Sequence, residues 1–316
     1  MSGKIEVVAI NCKNDFQNFL KVIDTVYDKT DKWCKPLNIE KSIAFSKKQP
    51  IFNHLNWAGW VGYIDGVPSG RITAQIDKLY IDKENCKTGF VGFFEACNND
   101  KLIGGLFKAA EAWLSQRSVK KILGPFSFNI NQEVGLLVEG FQTPPYVMMP
   151  NGKNYYQEAF EKHDYYKSMD TYCFDIAAKF NPPPLMKKLI RQLPNELKVR
   201  SLNKNKIGED LETLRLIFND AWSNNWGFIP FTKEEFFRLG NEMLKIIPFN
   251  FIQIAEINDE PVAFITLIPN INPVIHSMNG KIFPFGWIKF FYNLKWKYPK
   301  QARIPLMGVK KKYHNT

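Results

Sequence analysis

The last part of the chain carries basic side chains and no acidic ones. No aspartate or glutamate follows Glu260. The basic residues beyond it are Lys281, Lys289, Lys295, Lys297, Lys300, Arg303, Lys310, Lys311 and Lys312. These side chains account for most of the formal net charge of +11. Such a cationic segment favours phosphate-bearing partners, namely a nucleotide cofactor, nucleic acid or an anionic membrane surface.

Aromatic residues interleave with these cations between Trp287 and Arg303. The runs Trp287-Ile288-Lys289-Phe290-Phe291-Tyr292 and Trp296-Lys297-Tyr298 combine flat rings with positive charge. That mixture suits base stacking or a helix that lies at a membrane interface. A core-packing helix with a solvated lysine face is the alternative interpretation.

Cysteine and histidine spacings indicate neither a disulfide framework nor a metal site. The five cysteines are odd in number and show no C-x-x-C spacing, which is typical of free thiols in a reducing compartment. The four histidines are scattered. No stretch approaches the roughly 20 apolar residues that span a bilayer, and the N-terminus lacks the apolar core of a signal peptide. We therefore expect a cytoplasmic protein without a transmembrane segment.

The sequence pattern of the elements that must position any functional side chain occurs twice, about 193 residues apart. The segment 63–68, Tyr-Ile-Asp-Gly-Val-Pro, returns at 256–261 as Glu-Ile-Asn-Asp-Glu-Pro. In each copy an Ile-Thr pair follows, as Ile72-Thr73 and as Ile265-Thr266. Because about 100–200 residues is the usual size of a domain, this period predicts two copies of one domain.

Hydrophobic spacing predicts the elements of both copies. In the first, we expect strands at 5–10, 57–64, 67–76, 88–97 and 121–123, a closing hairpin over 165–176, and helices at 16–27, 100–117 and 154–162. Asp65-Gly66 is the hairpin turn and Asp100 the cap of the long helix. In the second, we expect strands at 197–202 and 303–309, a hairpin over 251–268, and helices at 209–222 and 232–245, the latter with a Thr232/Glu235 capping box.

Pro182-Pro183-Pro184 breaks regular structure and indicates a linker between the copies. We therefore predict a first domain at 1–178, a proline-rich linker at 179–196 and a second domain at 197–316. The second domain stops after its central strand.

This order of elements is that of the GNAT acyltransferase fold, and several motifs resemble a GNAT-like (N-acetyltransferase superfamily) family of double-domain bacterial proteins. The motifs are Gly89-Phe90-Val91-Gly92-Phe93-Phe94-Glu95, Gly124-Pro125, Gly135–Phe141, Pro145 with Met148-Met149, Asn219-Asp220-Ala221-Trp222, Asn225-Trp226-Gly227-Phe228 and Met307-Gly308-Val309. The resemblance implies an α+β fold of tandem GNAT-like domains with mixed β-sheets, the second incomplete at its C-terminus.

The resemblance also implies a reaction that uses acetyl-CoA or another acyl-CoA as donor. The pantetheine arm pairs with the edge of the fourth strand, and free N–H groups at the start of the next helix hold the pyrophosphate. A base deprotonates the acceptor amine, and an acid, often a tyrosine, protonates the departing thiolate. The first copy has no clear phosphate loop, and Phe160 stands where the acid is usual. It is therefore expected to be degenerate for CoA.

The donor site is thus expected in the second copy. Its predicted cofactor-binding residues are Met307, Gly308, Val309, Lys311, His314, Asn315 and Thr316, with a lysine-rich surface turn as the alternative. The predicted catalytic residues are Glu95, Asn225 and Trp226. Glu95 ends the first copy's central strand, and the other two lie in the second copy's loop between helices. A salt-bridged carboxylate and a core-packing aromatic are the alternatives for Glu95 and Trp226.

These residues predict a CoA-dependent N-acyltransferase acting on a small-molecule or peptide amine that the sequence does not identify. One alternative is a Fem-like aminoacyl or peptidyl transferase, which would bind a charged tRNA through the segment from Trp287 to Arg303. The other is a non-catalytic binding protein that uses the GNAT fold.

Overall fold

The computed structural model describes residues 3–28, 31, 35, 43–80, 86–177, 179–276, 288, 292–293 and 299–314. The chain divides into two compact units. Unit 1 consists of 1–168, 226–229 and 270–300, and unit 2 of 169–225, 230–269 and 301–316. The contiguous domains and the linker predicted from the sequence remain a proposal, because unit 1 also takes in two later segments.

Unit 1 is built around a five-stranded mixed sheet. Its strands are β1 (Ile5–Ala9), β2 (Leu55–Ile64), β3 (Val67–Asp77), β4 (Thr88–Ala96) and β5 (Lys121–Leu123), in that spatial order. Only the β4–β5 pair is parallel. The helices are α1 (Lys13–Val26), α2 (Asp100–Ser115) and α3 (Tyr156–Glu161). One core cluster forms with α2 and α3 and another with α1, so both faces of the sheet are covered.

The cap of α2 differs from the prediction. Asn99 is the N-cap residue, and its side chain accepts a hydrogen bond from the Leu102 amide at 3.1 Å. Asp100, predicted as the cap, is instead the first helical residue. The extended backbone of Asn99 directs its short amide side chain at the free N–H groups of the first turn, which is the requirement for capping.

The prediction of a hairpin over 165–176 is wrong. The structure has no strand in these residues, and Tyr172 and Phe174 are 77% and 83% exposed. Alternating apolar residues make a strand only when a neighbouring strand supplies ladder hydrogen bonds. No strand of the described chain pairs with this segment.

Unit 2 has a four-stranded sheet in which the described strands are all antiparallel. They are β6 (Leu197–Ser201), β7 (Ile252–Ile257), β8 (Glu260–Pro269) and β9 (Ala302–Val309), in that spatial order. Its helices are α4 (Pro184–Arg191), which lies in the predicted linker, α5 (Ile207–Trp222) and α6 (Lys233–Met243). The predicted capping box is present at α6, since Thr232 and Glu235 each bond the other's amide. A short helix, α7 (Asn272–His276), belongs to unit 1.

The two sheets share an irregularity at the repeat offset. Strand β2 has a bulge at Gly62/Tyr63, where Tyr63 faces Pro68, and β7 has one at Ala255/Glu256, where Glu256 faces Pro261. Proline has no N–H for the ladder, which is why it is confined to edges and bulges. The hairpin turns match as well, because Asp65-Gly66 and Asn258-Asp259 all have positive φ. The α+β class with two related sheets is thereby confirmed, although only the sheet of unit 1 is mixed among the described strands.

Candidate functional site

Strand β3 buries a row of polar side chains on one face. Arg71, Thr73, Gln75 and Asp77 alternate along the strand, and each is at most 5% exposed. The residues between them pack into the core on the opposite face, against α2. The alternation is visible in the sequence, but a strand with polar residues at every second position normally turns them to solvent. The structure identifies this polar row as buried, because it shows that both faces of β3 are covered.

The upper end of the row meets Glu95 on β4. Glu95 Oε2 accepts hydrogen bonds from the hydroxyls of Tyr27 and Tyr156, both at 2.8 Å. Arg71 Nη2 lies 4.0 Å from Glu95 Oε1. Side chains from the end of α1, from β3, β4 and α3 therefore converge on one carboxylate that is 12% exposed. The sequence predicted Glu95 but not these three partners, which are distant from it along the chain.

Burial sets the charge states around Glu95. Burial first, and then the nearby Glu95 charge, hold the pKa values of Tyr27 and Tyr156 well above the usual tyrosine value. Burial lowers the pKa of Arg71, whose guanidinium also lies 5.0 Å from the centre of the Phe19 ring. The tyrosines are therefore neutral hydrogen-bond donors, while the carboxylate can accept a proton.

Alkaline pH is expected to weaken unit 1 through these tyrosines. Because their folded-state pKa values exceed the ordinary 10.0, their contribution to stability is complete below pH 10 and declines above it as they ionise on unfolding. This loss of stability is checked by measuring tyrosinate absorbance of the folded protein as the pH rises, and urea unfolding at the same pH values. Burial also raises the pKa values of Tyr155 and Tyr165, so these two should ionise late together with Tyr27 and Tyr156, when unit 1 unfolds. Ionisation of all 12 tyrosines near pH 10 with the fold intact would contradict it.

The lower end of the row is a second buried polar cluster. His54 Nδ1 lies 2.8 Å from Asp77 Oδ1, and Asn129 Nδ2 donates to Asp77 Oδ2 at 3.1 Å. Gln75 Nε2 donates to the carbonyls of Phe126 and Phe128. These bonds attach the segment after β5 to the face of β3, so the cluster has a structural role.

The start of α2, where a GNAT fold would hold pyrophosphate, is occupied in unit 1. The Asn99 cap uses one of the free amides, and the Asp100 carboxylate stands in the first turn. The His163 ring covers Gly104, at which a Cβ would come within 2.7 Å of it. Phe160 is buried against the Phe94 and Phe107 rings. An anion at this helix start would meet a carboxylate and a capped amide, which are unfavourable partners.

In unit 2, the predicted donor residues begin on the outer strand β9. The Met307 carbonyl accepts a hydrogen bond from Trp222 Nε1 at 2.7 Å, and the Met307 side chain is exposed. Gly308 is packed against α5, because a Cβ there would lie 3.2 Å from the Ala221 methyl. Val309 pairs with Ala263 on β8. The edge of β9 opposite β8 carries no strand of the described chain.

The lysines after β9 have partners within unit 2. The Lys311 amide donates to Asp220 Oδ2 at 2.7 Å, and its ammonium bonds the Ser223 hydroxyl. Lys310 and Lys312 pair with Glu260 at 3.0 and 2.7 Å and lower the pKa of that exposed carboxyl to about 2. His314 Nε2 lies 2.9 Å from the Val309 carbonyl and therefore carries the proton. The predicted Asn315 and Thr316 lie outside the described residues.

The predicted catalytic residues are distributed over the two units. Asn225 is an exposed residue of unit 2, and its backbone N–H donates to the Trp222 carbonyl at 2.8 Å. Trp226 belongs to unit 1, where its ring centre lies 5.9 Å from that of Phe126. Glu95 contacts tyrosines instead. Most of the lysine–aromatic segment from Trp287 to Arg303 lies outside the described residues, so the tRNA alternative stays a prediction.

No described helix is long and apolar enough to cross a bilayer. Among the described residues, no group of three or more histidine, cysteine or acidic side chains could hold a metal ion.

Comparison with solved structures gives only weak matches. A ribosomal-protein-alanine N-acetyltransferase from Brucella melitensis biovar Abortus 2308 is 10% identical, covers 55% of this chain and 100% of its own, and has a TM-score of 0.33. An aminoglycoside acetyltransferase from an uncultured soil metagenomic sample is 11% identical, covers 56% and 97%, and scores 0.32. Scores this low carry no argument, and the fold rests on the chain's own strand order and repeat.

Sequence relatives are much closer, although no family model matches. Protein YghO of Escherichia coli (strain K12) is 42% identical over 302 residues, which is 95% of this chain and 77% of that protein. The "Bacterial ceramide synthase" of Caulobacter vibrioides is 34% identical over 318 residues, 100% of this chain and 83% of that protein. The chain therefore belongs to the bacterial protein family that contains these two proteins.

Proposed function

We propose that this protein is an acyl-CoA-dependent N-acyltransferase whose acceptor is a long-chain amine. The observation that carries the proposal is 34% identity along the whole chain to a protein named for ceramide synthesis. A ceramide is an amide that joins a long-chain amino alcohol to a fatty acid. Making that bond is N-acyl transfer, the reaction class that the GNAT-like fold implies.

Unit 2 is the proposed donor side. The edge of β9 from Met307 to Val309 offers backbone groups to a pantetheine arm, in the way that an extended ligand adds to a sheet. Lys310, Lys311 and Lys312 follow directly, and their charge suits the phosphates of CoA. The present partners of these lysines, Glu260 and Ser223, are partly exposed. Replacing these contacts by contacts to a phosphate therefore costs little free energy. When bound, the cofactor supplies an activated thioester.

Unit 1 is the proposed source of the base. Glu95 accepts hydrogen bonds from two neutral phenols, and its carboxylate is the proposed acceptor of the proton that the amine loses. The occupied start of α2 and the buried Phe160 support a unit 1 that binds no CoA.

The direct test is turnover by the full chain. The protein is incubated with sphinganine and either acetyl-CoA or palmitoyl-CoA, and the amide product is measured by mass spectrometry. We expect amide formation, and we expect K311A/K312A to raise KM for the acyl-CoA about tenfold, because two phosphate-facing charges are lost. The double variant K47A/K48A, which removes two exposed lysines of unit 1, is the matched control and should leave KM unchanged. Absence of amide with either donor at millimolar concentration refutes the proposal.

A further inference from the structure

Helix α4 does not pack against the described chain. All residues from Pro184 to Glu196 are exposed, and Leu185, Leu189 and Ile190 are 67%, 55% and 54% exposed. A helix in a globular protein normally turns its apolar stripe into the core, and contiguous exposed apolar surface marks an interaction site. In the described chain, the apolar face of α4 is left exposed.

The helix separates its apolar and basic side chains onto opposite faces. Leu185, Met186, Leu189 and Ile190 follow i, i+1, i+4 and i+5 spacing and share one face. Lys187, Lys188 and Arg191 fall on the other face at i, i+1 and i+4. Pro183 is the N-cap and Pro184 the first helical residue, so the preset backbone angle of proline starts the helix without a tertiary contact.

The charge of α4 itself is entirely positive, and Glu196 is the first acidic residue after it. From Pro182 to Asn195 the chain contains three basic residues and no acidic one. None of the ion pairs found in the described chain involves Lys187, Lys188 or Arg191. Exposed aromatic rings stand upstream in the same unit, at Tyr172 and Phe174. Long apolar side chains on one face of a helix and cations on the other are the composition of helices that lie in a membrane interface.

We propose that α4 docks unit 2 onto an anionic lipid surface. The apolar face enters the boundary between headgroups and acyl chains, and the three cations bind the lipid phosphates. A second copy of this chain is a poorer occupant, because pairing two apolar α4 faces would direct the three cations of each helix away from the partner and give them no anionic group. With eight residues and one apolar face, α4 gives reversible adsorption. The inference goes beyond the proposed function and does not depend on it.

Vesicle co-sedimentation of the full chain tests the proposal. Vesicles of phosphatidylcholine alone are compared with vesicles that contain about one-quarter phosphatidylglycerol, because charge should add to binding only on the second. We expect the partition coefficient on anionic vesicles to fall about tenfold or more in both L185S/L189S and K187E/K188E. On neutral vesicles only L185S/L189S should differ from the wild type.

Two variants serve as matched controls. L216S removes an equally exposed leucine from α5, and K47E/K48E reverses two adjacent exposed lysines of unit 1. Both should bind anionic vesicles like the wild type. The proposal is overturned if the wild type does not bind anionic vesicles at low salt, or if the α4 variants bind unchanged. It is equally overturned if L185S/L189S converts a dimer to a monomer in gel filtration. Acyl transfer is not needed for this readout, so failure of one proposal leaves the other standing.

Discussion

Replacing Glu95 by glutamine is expected to lower kcat for amide formation about 10²–10⁴-fold, the usual contribution of a general base. The amide oxygen can still accept from Tyr27 and Tyr156, so the fold should persist while the proton acceptor is lost. KM for the acyl-CoA should change little, because the proposed donor residues are in unit 2. Steady-state kinetics across pH, beside thermal unfolding, measures both effects.

A control substitution at a second carboxylate distinguishes an effect of E95Q on the reaction from an effect on stability. Glu111 on α2 also accepts a tyrosine hydroxyl, that of Tyr165 at 3.0 Å. E111Q should show no loss of kcat, and it should be less destabilising than E95Q, because Glu95 also lies 4.0 Å from the buried Arg71 guanidinium. If E95Q turns over at the wild-type rate with the wild-type pH profile, Glu95 is a structural residue and the base lies elsewhere.

Replacing Gly92 by alanine is expected to destabilise unit 1 by at least about 3 kcal/mol, the upper range for overpacking a core. A Cβ at this position would lie 1.5 Å from the Phe126 carbonyl oxygen, a contact that no side-chain rotation relieves. The backbone after β5 would have to lift from the sheet, and the bond from Gln75 to Phe126 would break. For a unit of this size, the melting temperature should fall by roughly 6–12 °C.

Gly66 is the control for this substitution, because it isolates backbone strain from steric overlap. Its φ is +80°, and a Cβ there would meet nothing within 4 Å. G66A should therefore cost only the 1–2 kcal/mol, approximately, of a left-handed L-residue. Equal destabilisation by G66A and G92A would mean that the close approach of Phe126 is not what restricts position 92.

Local patterns were enough to predict most elements. The Asp65-Gly66 turn and the Thr232/Glu235 box depend on residues within a few positions of each other, and both are present. Such features follow from backbone angles and short hydrogen bonds, which the local sequence controls. The failed hairpin over 165–176 shows the limit, because a strand requires a partner that its own residues do not specify.

The sequence by itself determined the two-copy organisation, since the repeat, its turns and its bulge-forming prolines recur at one offset. It also determined family membership through long motifs, which identity to the two relatives confirms. Only the tertiary structure decided that Glu95 meets Tyr27, Arg71 and Tyr156. Those residues lie on four elements, and burial of both sheet faces, which no local pattern encodes, brings them together.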